Sequence, residues 1–294
     1  AYGSPDSVML HWLKRGAAGW RMDVAPWVPD DFWREWRKAI KAQDPEAITI
    51  SETWFDASKY FVGDMFDATM NYIFRNSLLD YANGGDARAS YRNLELMREN
   101  YPPQTLHALM NLLSTHDTAR SLHLFGWKEG ASADAIALAK QRLRLAMFFQ
   151  FTYPGAPAIF YGDEVGLTGG EDPFNRGTYP WADLGGAPDL QLHEYVTALA
   201  KLRRENPVLS HGSLEAPLYL DEHVVVLLRR DGEQWAITAV NNGREDATVR
   251  VSLPAQAPAE WWDIWNAPRG ALRSERDLEL RVPAMSGSVL VGKK

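Results

Sequence analysis

Cysteine is absent from this 294-residue chain, which excludes disulfide frameworks, thiolate zinc sites and cysteine nucleophiles. Basic residues are outnumbered: 31 Lys and Arg against 38 Asp and Glu give a net charge of −7, which argues against nucleic acid as the main ligand. No apolar run approaches the roughly 20 residues of a membrane-spanning helix. We therefore expect neither a nucleic-acid nor a membrane partner, and chemistry that depends on oxygen and nitrogen groups.

Three widespread catalytic motifs are also missing. His193-Glu194 is followed by Thr197 where a zincin has its second histidine, and the chain contains neither Gly-x-Ser-x-Gly nor a Walker-type Gly-Lys-Ser/Thr. The first residue is Ala1 rather than an initiator Met, and no signal-peptide pattern follows it. The start is typical of the middle of a protein, so we expect a longer polypeptide.

The composition that remains is that of a folded protein. Hydrophobic residues make up 46% and charged residues 23%, and the length suggests two domains. Aromatic residues are numerous, with 12 Trp, 11 Tyr and 11 Phe. Because flat aromatic faces commonly pair with the apolar faces of sugar rings, this abundance is a hint of a carbohydrate ligand.

Short apolar runs alternate with amphipathic stretches from about residue 6 to residue 205, the pattern of repeated βα units around a parallel sheet. Five strands are predicted, at residues 19–25, 47–53, 65–72, 106–115 and 157–162. A helix is predicted between the first two, with an N-cap offered by Pro29-Asp30-Asp31 and an apolar face that includes Trp33, Trp36 and Ile40. Further helices are expected around residues 136–147 and 190–204.

Beyond residue 207 the hydrophobic period changes from 3.6 to 2. Residues 223–228 lead through Asp231-Gly232 into residues 235–240, and Asn242-Gly243 then precedes residues 248–251. Such turn dipeptides between alternating runs predict successive hairpins. We expect residues 208–294 to form a small antiparallel β-sandwich and residues 1–207 to form the α/β part.

Polar side chains follow four of the predicted strands, at the ends where parallel sheets carry their functional residues. They are Arg21 and Asp23, Glu52 followed by Trp54, His116 and Asp117, and Asp163 and Glu164. Taken singly, such an acid is most often a helix cap or a solvated turn residue, and an Arg-Asp pair can be purely structural. Together they converge on one mouth, and acids without cysteine or a metal motif suit a two-carboxylate reaction.

In their order these residues resemble the α-amylase family, glycoside hydrolase family 13. Gly-Trp-Arg-Met-Asp at 19–23 is similar to its fourth-strand motif, Ser-Glu-Thr-Trp at 51–54 to its fifth-strand motif, and Ser-Thr-His-Asp at 114–117 to its seventh-strand motif. Residues 63–72, 161–170 and 172–176 resemble the neopullulanase, cyclomaltodextrinase and maltogenic amylase branch in particular. The resemblance implies strands 4–8 of a (β/α)8 TIM barrel, followed by the β-sandwich.

The resemblance also implies roles for individual residues. Asp23 would be the nucleophile, held ionised and oriented by Arg21, and Glu52 would protonate the leaving oxygen and later activate water. Retention of configuration then requires the two carboxyl groups to lie roughly 5–5.5 Å apart. His116 and Asp117 would grip ring hydroxyls and favour the distorted sugar of the transition state.

Three more residues would bind sugar by the same resemblance. Trp54 would stack on the sugar beyond the cleavage point, and Asp172 and Arg176 would bind glucose hydroxyls on the other side. A structural role is about as plausible for all three. No cofactor is implied, although a calcium ion in the intact enzyme is left open.

The chain departs from the family pattern in two respects. Val24-Ala25-Pro26-Trp27 follows Asp23 where the branch has an Asn-Glu pair, which puts acceptor-side specificity in doubt. The first three strands and the third-strand Asp-to-Asn-His motif are absent, and five βα units cannot close an eight-stranded barrel. We therefore expect the amino-terminal part of the barrel as a partner, and a homodimer of the intact enzyme is left open.

The function that the resemblance implies is retaining hydrolysis of α-glucosidic bonds, mainly α-1,4, in cyclodextrins, pullulan, starch or maltooligosaccharides. One alternative is a transglycosidase or isomerase of the same family, in which sugar acceptors outcompete water. Another is an inactive fragment or glucan-binding subunit that needs the missing strands.

Overall fold

The parallel strands of the amino-terminal part lie side by side in chain order. A computed structural model describes residues 4, 7–266, 271–273 and 276–293. Its first five strands are β1 (Gly19–Met22), β2 (Ile48–Ser51), β3 (Ala68–Thr69), β4 (Met110–Leu112) and β5 (Ala156–Ala158). β1, β2 and β3 form one parallel sheet and β4 and β5 another, and a parallel bridge between Met70 and Met110 connects the two. In the part of the chain that is described, β1 and β5 each pair with one strand only.

Each predicted strand region contains a strand, but the strands are shorter than predicted. The prediction of a strand from residue 106 is wrong, because Pro103–Ala108 forms a helix. Pro102 is its N-cap, and Pro103 occupies the first helical position, which favours proline. The prediction that the last strand reaches residue 162 is also wrong. Gly162 adopts the left-handed conformation and starts a 3₁₀ turn, so β5 ends at Ala158.

Helices cover the strands and connect them. In the described residues they are α1 (Val8–Lys14), α2 (Asp30–Gln43), α3 (Tyr72–Ala82), α4 (Ala87–Asn100), α5 (Pro103–Ala108), α6 (Ser121–Leu124), α7 (Ala133–Thr152), α8 (Leu190–Glu205) and α9 (Val208–His211). As predicted, α2 buries Trp33, Trp36 and Ile40. Its N-cap is Pro29, within the predicted stretch 29–31, and Asp30 and Asp31 lie in the first turn, where their charges interact favourably with the helix dipole.

The carboxyl-terminal part is a two-sheet β structure. Its strands are β6 (Tyr219–Leu220), β7 (Val224–Asp231), β8 (Gln234–Asn241), β9 (Ala247–Ser252), β10 (Glu260–Asp263), β11 (Leu272–Arg273), β12 (Asp277–Val282) and β13 (Ser286–Lys293). The first sheet has the order β11-β10-β13-β8-β7-β6, and β12 and β9 form the second. The predicted hairpin of β7 and β8 is confirmed. The predicted hairpin of β8 and β9 is wrong, because β9 crosses to the other sheet and pairs with β12.

The two parts share one hydrophobic core. Buried residues of α7 and of β7, β8 and β13 belong to the same cluster, including Phe148, Leu227 and Val289. A second cluster lies between the two sheets, around Trp261. None of the described helices is both long and apolar enough to cross a lipid bilayer.

Candidate active site

One arginine bridges two carboxyl groups at the carboxyl ends of β1 and β2. Arg21 Nη1 lies 2.6 Å from Asp23 Oδ1, and Arg21 Nη2 lies 3.0 Å from Glu52 Oε2. The close approach of β1 to β2 permits this arrangement, because a Cβ atom at Gly19 would collide with the carbonyl oxygen of Ile48. The pair of strands thus places an exposed and a buried carboxyl group around a single cation.

The two carboxyl groups lie in different environments. The Asp23 side chain is 73% exposed, whereas that of Glu52 is 5% exposed. The hydrogen bond from Arg21 holds the pKa of Asp23 below its ordinary value, and the charge of nearby His116 acts in the same direction. Asp23 is therefore ionised near neutral pH.

Glu52 is fixed by donors from both neighbouring strand ends. Its Oε2 accepts a hydrogen bond from the Val24 N–H at 2.8 Å, and its Oε1 accepts one from Trp54 Nε1 at 3.1 Å. Val24 has φ 39° and ψ 49°, a left-handed conformation that is strained for a β-branched residue. In this conformation the Val24 N–H points at Glu52. The 3₁₀ turn that follows leaves Trp27 84% exposed.

Tyr72 is a residue of this site that the sequence reasoning missed. Its ring stacks on that of Trp54 with centroids 4.1 Å apart and planes 12° apart, and its hydroxyl lies 3.4 Å from that of Thr115. Burial raises the pKa of Tyr72, and the charges of Glu52 and Asp117 raise it further. Tyr72 is the last residue of the stretch 63–72. The family resemblance of that stretch was the sequence signal that could have identified it.

His116 and Asp117 follow β4 and meet the loop that follows β5. His116 Nε2 lies 3.1 Å from Asp117 Oδ2. Arg176 connects the loops: its Nε lies 3.1 Å from Asp172 Oδ1 and donates to the His116 carbonyl oxygen at 3.0 Å, and its Nη2 lies 3.7 Å from Asp117 Oδ1.

The structure thus places the eight predicted site residues in two groups at the same end of the strands. One group is Arg21, Asp23, Glu52 and Trp54, and the other is His116, Asp117, Asp172 and Arg176. Tyr72 lies between them, since it contacts Trp54 on one side and Thr115 on the other. Asp163, in contrast, is buried beneath the second group and pairs with Arg120.

Two further observations bear on ligands. Within the described ranges, no group of three or more His, Asp or Glu side chains is arranged to hold a metal ion. A cleft of about 870 Å³ lies between α7 and the β-sandwich, lined by residues that include Arg142, His223 and Met285. None of the predicted site residues lines that cleft.

Comparison with known proteins gives one family match and many relatives. Residues 4–184 match the α-amylase catalytic domain. The chain is 34% identical to an amylopullulanase from Thermoanaerobacterium saccharolyticum, over 95% of the chain and 24% of that protein. It is 35% identical to neopullulanase 2 from Thermoactinomyces vulgaris, over 87% of the chain and 42% of that protein.

A solved structure gives the same result. The fold matches that of a cyclomaltodextrinase with a TM-score of 0.79 and 31% sequence identity, over 95% of this chain and 46% of that one. The chain therefore spans between a quarter and a half of the length of these three proteins. The predicted neopullulanase and cyclomaltodextrinase resemblance is confirmed, and the amylopullulanases are a group that the motifs had not singled out.

Proposed function

Since the chain belongs to the α-amylase family of glycoside hydrolases, we propose that the cluster around Arg21 performs retaining hydrolysis of α-glucosidic bonds. The observation that carries this proposal is the single guanidinium that bridges an exposed, ionised Asp23 and a buried Glu52. Two carboxyl groups with different environments are what a double displacement requires, because one must attack while the other donates a proton.

The first displacement forms the covalent intermediate. A carboxylate oxygen of Asp23 attacks the anomeric carbon, the bond to the glycosidic oxygen breaks, and Glu52 gives its proton to that oxygen. Both oxygens accept one hydrogen bond, from Val24 at Oε2 and from Trp54 at Oε1, but only Oε2 also faces the Arg21 cation, so we assign the proton to Oε1. The second displacement reverses these roles: Glu52 takes a proton from water, the water oxygen attacks, and Asp23 leaves as a carboxylate.

The remaining predicted residues bind the sugars in this proposal. His116 and Asp117 hold ring hydroxyls of the sugar that is cleaved and stabilise its flattened transition state. Asp172 and Arg176 bind the next glucose on the same side. Trp54, which Tyr72 supports on one face, is 46% exposed and stacks on the sugar that leaves.

The substrates that we propose are α-glucans with mainly α-1,4 linkages, namely cyclodextrins, pullulan, starch and maltooligosaccharides. Relatives named amylopullulanase, neopullulanase and cyclomaltodextrinase support this class. In this proposal Asp23 and Glu52 supply the chemistry without a cofactor. A calcium ion in a longer protein is not part of the proposal.

The architecture belongs to the same proposal. Residues 1–207 would supply strands 4–8 of a (β/α)8 barrel and residues 208–294 its carboxyl-terminal β-sandwich. The single pairing of β1 and of β5 supports this, since a closed barrel would give each a second neighbour. We therefore expect activity when the strands of the amino-terminal part are present, and none from the 294-residue chain alone.

The test compares this chain with the same chain expressed together with its natural upstream coding sequence. Hydrolysis of β-cyclodextrin, pullulan and amylose is measured by chromatography of the products. In the longer protein Asp23→Asn and Glu52→Gln should each lower kcat by about 10³-fold or more. The matched control is Glu46→Gln, an exposed acid before β2, which should leave the activity unchanged.

A substrate with an activated leaving group separates the two roles. Fluoride departs from α-maltosyl fluoride without a proton, so Glu52→Gln should retain formation of the covalent intermediate, whereas Asp23→Asn should lose it. Full activity of either variant on glucans would refute the assignment, and so would equal loss of the fluoride reaction in both.

A further inference from the structure

A fully buried ion pair lies beneath the loop that carries His116 and Asp117. Arg120 is 0% exposed and Asp163 is 3% exposed, and Arg120 Nη1 lies 3.0 Å from Asp163 Oδ1. The guanidinium also packs over the rings of Phe160 and Tyr161, at 4.4 and 4.8 Å from their centroids. Neither member of the pair takes part in the proposed reaction.

Arg120 reaches the loop through a buried asparagine. Its Nε donates to the Asn175 carbonyl oxygen at 2.8 Å. The Asn175 Nδ2 in turn donates to the carbonyl oxygens of His116 at 2.8 Å, Thr118 at 3.0 Å and Thr115 at 3.4 Å. A single side-chain amide thus holds three of the four peptide carbonyls from residue 115 to residue 118.

Asp163 acts on the loop through Arg120. Its Oδ1 accepts a hydrogen bond from Arg120 Nη1 at 3.0 Å, and the same Nη1 donates to the Tyr161 carbonyl oxygen at 2.7 Å. These two acceptors fix the plane of the guanidinium, and with it the direction of Nε towards Asn175. The ion pair is therefore connected to the His116–Asp117 loop through Arg120 and Asn175.

We propose that Arg120 and Asp163 are positioning residues: Asp163 fixes Arg120, and Arg120 fixes the His116–Asp117 loop for transition-state binding through Asn175. The role of that loop rests on the proposed function, whereas the mechanical coupling does not. A buried ion pair is a poor source of stability, because desolvation of the two charges offsets much of their attraction. The pair instead fixes the orientation of the guanidinium plane. In that orientation Arg120 Nε points at Asn175 and Nη1 points at Asp163.

The test of the coupling needs no catalysis. Amide hydrogen exchange at residues 115–118 is measured in the 294-residue chain and in its variants Asp163→Asn, Arg120→Met and Asn175→Ala. We expect exchange at these amides to be roughly 10-fold faster or more in each variant, because the hydrogen bonds from Asn175 to the loop carbonyl oxygens are lost or weakened. Glu171→Gln, an exposed acid in the loop after β5, is the matched control and should leave these amides unchanged.

The double variant Arg120→Met/Asp163→Asn separates positioning from stability. It leaves no charge buried, so its unfolding temperature should recover relative to Asp163→Asn, in which Arg120 has lost its counter-ion. Fast exchange at residues 115–118 should nevertheless persist, because the hydrogen bond from Arg120 Nε to the Asn175 carbonyl oxygen is still missing. If a single variant fails to fold, hydrogen exchange in this double variant still tests whether the ion pair positions the loop.

The kinetic arm uses the longer protein and maltotriose. We expect kcat to fall roughly 10- to 100-fold in the double variant while KM changes little, because a displaced loop weakens the transition state more than the substrate. Recovery of kcat together with stability would overturn the proposal, and so would unchanged exchange at residues 115–118. An inactive parent protein would refute the proposed function alone, since the exchange result would still stand.

Discussion

Arg229 on β7 is the residue whose replacement most directly tests how the β-sandwich is joined to the α/β part. Its side chain is fully buried, and its nitrogens donate to the carbonyl oxygens of Thr152, Leu209, Gly212 and Ser213 at 2.6–3.3 Å. Thr152 ends α7, and Leu209 lies in α9. Among the described residues no carboxylate forms an ion pair with Arg229, and burial lowers its pKa to about 9.

The magnitude follows from what Arg229→Met would leave behind. The variant removes a buried cation, which is favourable, but it leaves four carbonyl oxygens without this donor, each at roughly 1–3 kcal/mol. Because removal of the buried cation offsets part of this cost, we expect a net destabilisation of roughly 1–3 kcal/mol or more, the cost of at least one unsatisfied carbonyl. Because the whole stability of a domain is about 5–15 kcal/mol, the unfolding midpoint in urea should fall substantially.

The neighbouring Arg230 provides the matched control. It is exposed and lies over the ring of Trp235 at 5.3 Å, so Arg230→Met should cost about 1 kcal/mol or less. Urea unfolding followed by tryptophan fluorescence and by circular dichroism gives both values. Equal midpoints for Arg229→Met and Arg230→Met would refute the reasoning. Arg229→Lys should fall between them, because an ammonium group cannot donate to all four carbonyls.

Three further predictions concern the site and its supports. Gly19→Ala should destabilise by roughly 1–3 kcal/mol or more in thermal unfolding, because its Cβ meets the Ile48 carbonyl; wild-type stability would contradict the close approach. Arg21→Gln should raise the pKa of Asp23, which ¹³C NMR titration of the carboxyl carbon measures; no upward shift would remove Arg21 as the cause. Burial raises the pKa of Asp163 from 3.8 to about 6, so its contribution to stability falls as pH rises through that window. Asp163→Asn removes this titration. The slope of its free energy of unfolding against pH should therefore be more positive than that of the parent chain between pH 4 and 6, and an unchanged slope would contradict this.

Local sequence was a good guide where short-range patterns decide structure. The helical face of α2 and the β7–β8 hairpin were predictable because helix periodicity and a turn dipeptide are properties of neighbouring residues. The strand-end positions of Asp23 and Glu52 were predictable for the same reason. Their roles remain predictions, although their geometry around Arg21 suits them.

One error was local: the strand predicted from residue 106 failed because the proline pair at 102–103 starts α5. The other errors fall where distant partners decide. The hairpin of β8 and β9 failed because β9 pairs with β12 and buries its apolar face in the second sheet. Tyr72 was missed because its importance comes from Trp54 and Thr115, neither of which is near it in sequence. No local pattern distinguishes such a tyrosine from one that only packs in the core.

The amino-acid sequence by itself determined the residue types that can do the chemistry and the strand ends at which they stand, because alternation and turn residues are encoded within a few positions. Only the tertiary structure decided that one arginine serves both carboxyl groups, that a strained Val24 turns its N–H to Glu52, and that Arg120 and Asp163 meet beneath the second loop. The physical reason is that the contacts of Glu52 with Arg21 and Val24, and of Arg120 with Asp163, join residues 28 to 43 positions apart. Their distances are set by the packing of whole strands, which no local pattern encodes.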